Sequence, residues 1–324
     1  MTLNETLLER PILYEVVPPK LTATKAVIAK KLELLESVLY DTRINAINVP
    51  ELVERNENDH LVYVPNTVLP DEYASIIRDR GKEAVVNIVA PRLTINEFQD
   101  RVYKLWSYYK IGNLVLVGKE RSTDVLPGPS VTQALDLVSQ MNGGRVSYAE
   151  RTNFLVGGIS IFHRNKKKNH GYETASEDLD EHERIAIKAR HGCRFVTSQI
   201  IFDPSHAIDF LTKYNNYCET RKVKPLTVFV SLSTVASPSI LSLLTDKLEV
   251  YMPDELKKKL HDNQDRMEKL SVDASEQIFS DVAETKKSKG IKIPIGLHIE
   301  QVGVNSTDLS MELLDRVYPI FRNL

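Results

Sequence analysis

Residues 193–204 run Cys-Arg-Phe-Val-Thr-Ser-Gln-Ile-Ile-Phe-Asp-Pro, an apolar stretch with one amide near its centre. Phe195–Phe202 has the length of a strand and is bounded by Gly192 and Asp203, so we predict a buried strand here. Gln199 has no packing reason to lie inside such a strand, because an unpaired buried amide costs about 1–3 kcal/mol. Two interpretations follow: a core glutamine bonded to a neighbouring strand, or an amide that faces a ligand inside a barrel.

Further apolar stretches of strand length flank this one and alternate with segments of helical periodicity, the first of which is Thr24–Leu39. They are Ile12–Val17, Ile44–Val49, Glu83–Val89, Asn113–Val117, Phe154–Ile161, Leu226–Ser231 and Gly296–Ile299. This alternation predicts a single (β/α)8 TIM barrel of the α/β class. A doubly wound sheet would have a glycine-rich first turn, where this chain has Pro18-Pro19. We expect residues 1–324 to form one barrel domain with a helical insertion near 237–289.

The composition excludes several classes of function. The chain has 42 Lys and Arg against 44 Asp and Glu, a net charge of -2, so no basic field attracts nucleic acid or an anionic membrane. Its two cysteines, Cys193 and Cys218, lack metal-ligand spacing, which is typical of a reduced intracellular protein. The N-terminal residues lack the pattern of a signal peptide, and no apolar run approaches the ~20 residues of a membrane span. We expect a cytoplasmic protein that binds neither nucleic acid nor membrane.

Polar side chains recur at the predicted carboxyl ends of the strands, where a barrel of this type binds its ligand. In chain order they are Glu15, Glu51, Asn87, Lys119, Glu120, His163, Gln199, Asp203, Ser231, Ser233, His298 and Glu300. No His, Asp and Glu set among them has the spacing of a metal site, and no Gly-x-Ser-x-Gly elbow or Cys–His pair presents a nucleophile. These residues predict a site that binds a polar heterocycle and moves one proton.

Glu15 is the candidate acid. It lies in the stretch Ile-Leu-Tyr-Glu-Val-Val-Pro-Pro, residues 12–19, with apolar neighbours on both sides, so its side chain points into the barrel or into the helix layer. Burial disfavours the carboxylate and raises the pKa of the group, as a general acid near neutral pH requires. The alternative is a buried ion pair with a lysine or arginine from another strand.

Several of these motifs resemble the methylenetetrahydrofolate reductase family. Residues 14–20, Tyr-Glu-Val-Val-Pro-Pro-Lys, resemble its opening strand, and residues 197–203, Thr-Ser-Gln-Ile-Ile-Phe-Asp, resemble its Thr-Gln–apolar–Asp strand. The stretch from Gly157 to His163 is similar to a strand of the family that ends in histidine, and residues 296–298 are similar to its closing strand. The resemblance implies a TIM barrel that reduces a methylene-tetrahydropterin to the methyl form, a step of one-carbon metabolism and methionine biosynthesis.

On the substrate side, the resemblance implies that Glu15 protonates N10 of the folate as the methylene bridge opens to an iminium. It also implies that Gln199, Asn87 and His298 bind the pterin. The expected small-molecule partner is therefore a reduced pterin or folate. The candidate protein partners are a second copy of the chain, in a homo-oligomer, and an electron-donor subunit.

On the cofactor side, the resemblance implies a flavoprotein that binds FAD and takes electrons from NAD(P)H or from a protein donor. Lys188 falls at the flavin phosphates, and the residues implied on this side are Lys119, His163, Lys188 and Arg184. The chain differs from the family at five places: Val117-Gly118-Lys119 replaces Arg-Gly-Asp, Ile159 replaces a tyrosine, Pro50 a threonine and Asn87 a histidine, and Gln301-Val302-Gly303-Val304 replaces the closing Thr-Leu-Asn-Arg. Two functions stay open: an oxidoreductase, and a flavin-free pterin-binding barrel that acts as a methyltransferase-type or partner-dependent subunit.

Overall fold

The fold is taken from a computed structural model that describes residues 2–21, 33, 35–55, 61–64, 67–119, 126–145, 150–164, 179–303 and 306–324. Within these residues, eight parallel strands close into a barrel in chain order, and the last strand pairs with the first. They are β1 Ile12–Glu15, β2 Ala46–Val49, β3 Glu83–Val89, β4 Asn113–Val117, β5 Leu155–Ser160, β6 Phe195–Ser198, β7 Thr227–Ser233 and β8 Ile295–Glu300. The predicted TIM barrel is confirmed.

The α-helices pack mainly around the strands, and a short antiparallel pair, Val53–Arg55 and Leu61–Tyr63, follows β2. The helices are Leu3–Thr6, Pro70–Asp79, Ile95–Ser107, Val131–Asn142, Glu181–Arg190, Pro204–Arg221, Pro238–Ser242, Asp254–Asp262, Met267–Ser288 and Thr307–Arg322. Most of the predicted helix Thr24–Leu39 lies outside the described residues, although residues 35–40 are helical. No helix in the described part of the chain is long and apolar enough to cross a membrane.

Successive side chains of each strand point alternately into the barrel and into the helix layer. The inward apolar residues form one cluster, which Leu3 and Leu7 close at the amino-terminal end: Leu13, Ala46, Val85, Val115, Leu155, Phe195 and Phe229. The outward residues form a larger cluster with the helices. Because the apolar interior fills the amino-terminal half of the barrel, inward positions further along the same strands meet at the carboxyl end.

Two phenylalanine rings fill this interior and need glycine beside them. A Cβ atom built on Gly157 would lie 2.4 Å from the Phe195 ring, and one on Gly296 would lie 2.4 Å from the Phe229 ring. The two rings meet edge to face with their centroids 5.5 Å apart. The glycines are therefore part of the core packing, since any larger residue would displace a ring.

Gly157→Ala is expected to lower the free energy of unfolding by about 1–3 kcal/mol, because the added methyl group overpacks Phe195. Chemical denaturation measures the change. Gly158→Ala is the matched control on the same strand, since its Cβ would meet Lys188 at 3.4 Å, Cys193 at 3.7 Å and the Leu116 carbonyl oxygen at 4.0 Å, all ordinary contact distances. Equal stability of the two variants would contradict this account of the core.

The strand predicted at Phe195–Phe202 ends at Ser198, so the prediction was too long. Ile200 and Phe202 turn away from the barrel and pack in a third apolar cluster with residues of the segment after β7. The apolar run is continuous in sequence, but its residues are divided among three clusters: Phe195 lies in the inner one, and Val196 and Ile201 lie in the one shared with the helices. Apolar character alone does not show where the strand ends.

The segment between β7 and β8 holds Pro238–Ser242, a π-helical turn at Leu243–Lys247, and the helices Asp254–Asp262 and Met267–Ser288. This is the region where we predict a helical insertion. The division of the chain into domains stays a prediction.

Candidate active site at the carboxyl ends of the strands

Glu15 is the last residue of β1, and its register partners are Glu300 on β8 and Asn48 on β2. Neighbouring strands lie about 4.8 Å apart, so the three side chains meet on the inner face. Asn48 Nδ2 donates to Glu15 Oε2 at 2.7 Å. Burial and the negative charge of Glu300 raise the pKa of Glu15 well above its usual range, and the bond from Asn48 lowers it only in part. Among the described residues no cation pairs with this carboxyl group, so the ion-pair alternative finds no support there.

The raised pKa of Glu15 makes folding stability depend on pH. The folded chain binds this proton more tightly than the unfolded chain, so the contribution is fully present below the unfolded pKa of 4.5. It is lost as the pH rises towards the folded pKa, by at most about 1.4 kcal/mol per pH unit. Glu15→Gln should remove this fall, because an amide does not titrate. Denaturation of both proteins from acidic to weakly alkaline pH measures the difference, and parallel stability curves would contradict the assignment.

His298 lies behind Glu300 on the same strand and is 2% exposed. Its Nδ1 lies 3.0 Å from Ser231 Oγ and 3.3 Å from Glu300 Oε1. Ser231 Oγ donates its own proton to the Ser198 carbonyl oxygen at 2.7 Å, so it accepts from His298. In the neutral tautomer that fits these contacts, the ring proton lies on Nδ1 and Nε2 is an acceptor.

Buried polar atoms without a hydrogen-bond partner among the described residues gather at this end of the barrel. On the inward positions of β2, β3 and β8, and just past β6, they are Asn48 Oδ1, Asn87 Oδ1, His298 Nε2 and Gln199 Oε1. A native structure rarely leaves such atoms unpaired, since each costs about 1–3 kcal/mol. As placed, all four are acceptors, so the site suits a ligand that presents several N–H or O–H groups.

A small pocket adjoins Gln199 beyond the ends of β5 and β6. It is lined by Phe162, His163, Gln199, Ile200, Ile201, Phe202, Asp203, His206 and Tyr251. The ring centroids of Tyr251 lie 4.8 Å from His206 and 5.8 Å from His163. Gln199 Nε2 donates to the Leu248 carbonyl oxygen at 3.2 Å, which leaves Oε1 as the unpaired acceptor. The structure thus brings together His163, predicted on the cofactor side, and Gln199, predicted on the substrate side.

Three cations gather around Glu181 on the outer side of β5. Arg164 Nη1 lies 3.3 Å from Glu181 Oε2, and Lys188 Nζ donates to the Ile159 carbonyl oxygen. Burial lowers the pKa of Lys188 and of Arg184. Arg164 Nε is buried with no hydrogen-bond partner in the described part of the chain. The cofactor roles of Lys188 and Arg184 stay predictions.

Lys119 and Glu120 are the two residues predicted at the end of β4. Lys119 follows the end of β4 at the mouth of the barrel, and its cofactor role stays a prediction. Glu120 lies outside the described residues. Within those residues, no group of three or more His, Cys, Asp or Glu side chains is placed to hold a metal ion.

Glu51 belongs to the packing around β2 and β3. Its side chain is fully buried, accepts from the Val89 amide at 2.7 Å, and pairs with Arg92 at 2.7 Å and Arg101 at 3.1 Å. Arg101 also pairs with Asp71 at 2.7 Å. This network links the carboxyl ends of β2 and β3 to the helix Ile95–Ser107.

The fold and the site together define a (β/α)8 barrel with a buried acid at the carboxyl ends of its strands. No protein-family model and no curated protein matches the sequence significantly. Among solved structures, the chain is similar to an uncharacterized protein from Clostridium thermocellum that binds two copies of 5-methyl-5,6,7,8-tetrahydrofolic acid. That similarity has a TM-score of 0.75 and 22% identity, over 98% of this chain and 99% of that one, and it shows a shared fold. A 2,3-dimethylmalate lyase of the PEP mutase/isocitrate lyase superfamily has a TM-score of 0.42 and 9% identity, over 71% of this chain and 69% of that one.

Proposed function

We propose that this chain binds a reduced folate and reduces a methylene-tetrahydropterin to its methyl form. The observation that carries the proposal is Glu15, an acid of raised pKa that accepts a bond from Asn48, at the end of the barrel where several acceptors have no partner among the described residues. The reduced pterin ring has an amino group and ring N–H groups, which are the donors that such acceptors take. The structural neighbour that binds 5-methyltetrahydrofolic acid supports the choice of ligand.

The proton chemistry follows from the position of Glu15. Its carboxyl group donates a proton to N10 of the substrate, the bond between N10 and the methylene carbon breaks, and that carbon stays on N5 as an iminium. Hydride addition to the carbon gives the N5-methyl product. Asn48 Nδ2, already bonded to Oε2, stabilises the carboxylate that remains. Gln199 Oε1 and His298 Nε2 orient the ring by accepting its N–H groups.

The cationic group beside β5 fits the phosphates of a flavin dinucleotide. It places Arg164, Arg184 and Lys188 around Glu181, and includes a buried Arg164 Nε without a partner in the described part of the chain. Bound FAD would relay hydride from NAD(P)H or a protein donor. The residues of this chain would bind and orient it, while Glu15 handles the proton.

A second candidate is a flavin-free pterin-binding barrel that acts in methyl transfer or with a partner subunit. The packing of Val117 and Ile159 favours it, because both side chains lie against the inner apolar cluster. At these positions the resemblance implies an arginine and a tyrosine. Apolar side chains offer neither charge nor hydrogen bonds to a flavin.

Binding and turnover assays distinguish the candidates. The protein is titrated with 5-methyl- and 5,10-methylene-tetrahydrofolate, and oxidation of NADH or NADPH is then followed with and without added FAD. We expect both folates to bind and the oxidation to depend on the methylene substrate. Binding without turnover under every donor condition would support the second candidate. Failure of both folates to bind would overturn the proposal.

Gln199→Leu is expected to weaken folate affinity roughly 10- to 100-fold, since the ligand donor facing Oε1 would be left buried and unpaired. Stability should fall by only about 0.5–1.5 kcal/mol, because Oε1 has no partner in the described part of the chain and the one bond lost is that from Nε2 to the Leu248 carbonyl oxygen. Calorimetric titration and thermal unfolding measure the two effects, and Gln277→Leu on an exposed helix face is the control. A large loss of thermal stability with intact affinity would mean that Gln199 is a core residue.

A further inference from the structure

Glu15 and Glu300 are neighbours on adjacent strands. Glu15 and Glu300 are paired residues on β1 and β8, and both occupy the inward positions of their strands. The Glu300 side chain is 16% exposed, so water screens its charge only weakly. The negative charge of Glu300 is the second cause, after burial, of the raised pKa of Glu15.

Glu300 lies against His298. The Nδ1–H of His298 donates to Ser231 Oγ at 3.0 Å, and the same nitrogen lies 3.3 Å from Glu300 Oε1. Ser231 is itself fixed by its bond to the Ser198 carbonyl oxygen at 2.7 Å. A series of contacts therefore runs from Ser198 on β6, through Ser231 on β7 and His298 on β8, to the Glu300 carboxylate.

We propose that Glu300 is a positioning residue for the acid: Glu15 and Glu300 hold one proton between them, and Glu300 keeps that proton on Glu15 until the substrate takes it. Two adjacent carboxyl groups cannot both ionise cheaply, so one of them retains its proton at a pH where an isolated glutamate would lose it. Among the described residues, the Asn48 amide also faces Glu15 from β2, and His298 occupies the inward position of β8 that precedes Glu300. Glu51, which follows β2, forms ion pairs with Arg92 and Arg101.

The substrate step of this inference rests on the proposed function. Before transfer, the pair carries one negative charge and the substrate is neutral. The Glu15 proton then moves to N10, the bond between N10 and the methylene carbon breaks, and two carboxylates face one iminium cation. Total charge is conserved, and the second carboxylate stabilises the cation that forms. After hydride addition, the pair takes one proton back from water.

Glu300→Gln removes the charge and keeps the size of the side chain. Titration of Glu15 is followed by infrared difference spectroscopy, with the Glu15 band identified by subtraction of Glu15→Gln spectra. We expect the titration in Glu300→Gln to move to lower pH by about one unit or more. The alkaline limb of the pH profile of kcat/KM should move in the same direction.

Control variants separate the charge from a structural role. Glu300→Asp keeps the carboxylate and should titrate close to wild type. Glu83→Gln changes a glutamate of β3 at the opposite end of the barrel and should leave the Glu15 titration unmoved. If Glu300→Gln does not fold, His298→Gln retains both carboxyl groups but releases Glu300, and it should shift the Glu15 titration to lower pH by a smaller amount.

The outcomes are distinct for the two proposals. An unchanged Glu15 titration in Glu300→Gln, or in His298→Gln where the first variant does not fold, overturns the shared proton. A wild-type protein that shows the shared proton but no methylene-dependent turnover overturns the reductase and leaves the carboxyl pair in place. The infrared titration needs neither substrate nor cofactor, so one failure cannot be mistaken for the other.

Discussion

Glu15→Gln should fold and bind 5-methyltetrahydrofolate as wild type does, yet lose about 10²–10⁴-fold of its turnover number for the methylene substrate. The amide has nearly the size of the carboxyl group and can still bond with Asn48, but it has no carboxyl proton to donate. Steady-state kinetics with 5,10-methylene-tetrahydrofolate measure the loss, and calorimetric binding shows that the site remains intact.

Glu312→Gln on an exposed helix face is the matched control. That variant should retain wild-type turnover. If Glu15→Gln turned over as fast as Glu312→Gln, Glu15 could not be the proton donor.

Glu51→Gln is expected to lower the free energy of unfolding by about 3–5 kcal/mol. Its carboxylate has no exposure and faces two arginines, which would be left buried with less compensating charge. Urea denaturation at neutral pH measures the change. Asp315→Asn is the matched control: Asp315 also pairs with an arginine, Arg43 at 2.7 Å, but its side chain is 64% exposed. An exposed pair of this kind contributes only about 0–1 kcal/mol, so equal losses in the two variants would contradict the buried network.

The barrel could be predicted because its strands are short apolar runs separated by helical periodicity, and both signals are local. β3 and β4 begin and end where the sequence predicts them. β6 does not, because Ile200 and Phe202 enter a different apolar cluster. Local patterns identify a strand more reliably than they identify the core that its last residues join.

The site was harder to predict because it depends on register. Glu15 and Gln199 stand out as polar residues in apolar runs, but the pairing of Glu15 with Glu300 and Asn48 follows from strand alignment. Like Glu15, Glu51 is a carboxylate at the end of a predicted apolar strand. The arginines that pair with it, Arg92 and Arg101, lie 41 and 50 residues further along the chain. His206 and Tyr251 have no signal of their own, since neither occupies a strand end. The sequence pattern identified candidate polar residues. It could not distinguish a carboxyl group available to a ligand, as at Glu15, from one paired within the packing, as at Glu51.

The segment after β7 has a consequence for how ligand choice could evolve. Leu248 supplies the carbonyl oxygen that holds the Gln199 amide, and Tyr251 supplies a ring of the adjoining pocket. Between them, Glu249 has a left-handed φ of 48°, so the backbone bends sharply at this residue. The groups that we propose transfer the proton, by contrast, lie on β1, β2 and β8. Substitutions in this one segment could therefore change which ligand ring the barrel binds. They would leave the residues proposed for proton transfer unchanged.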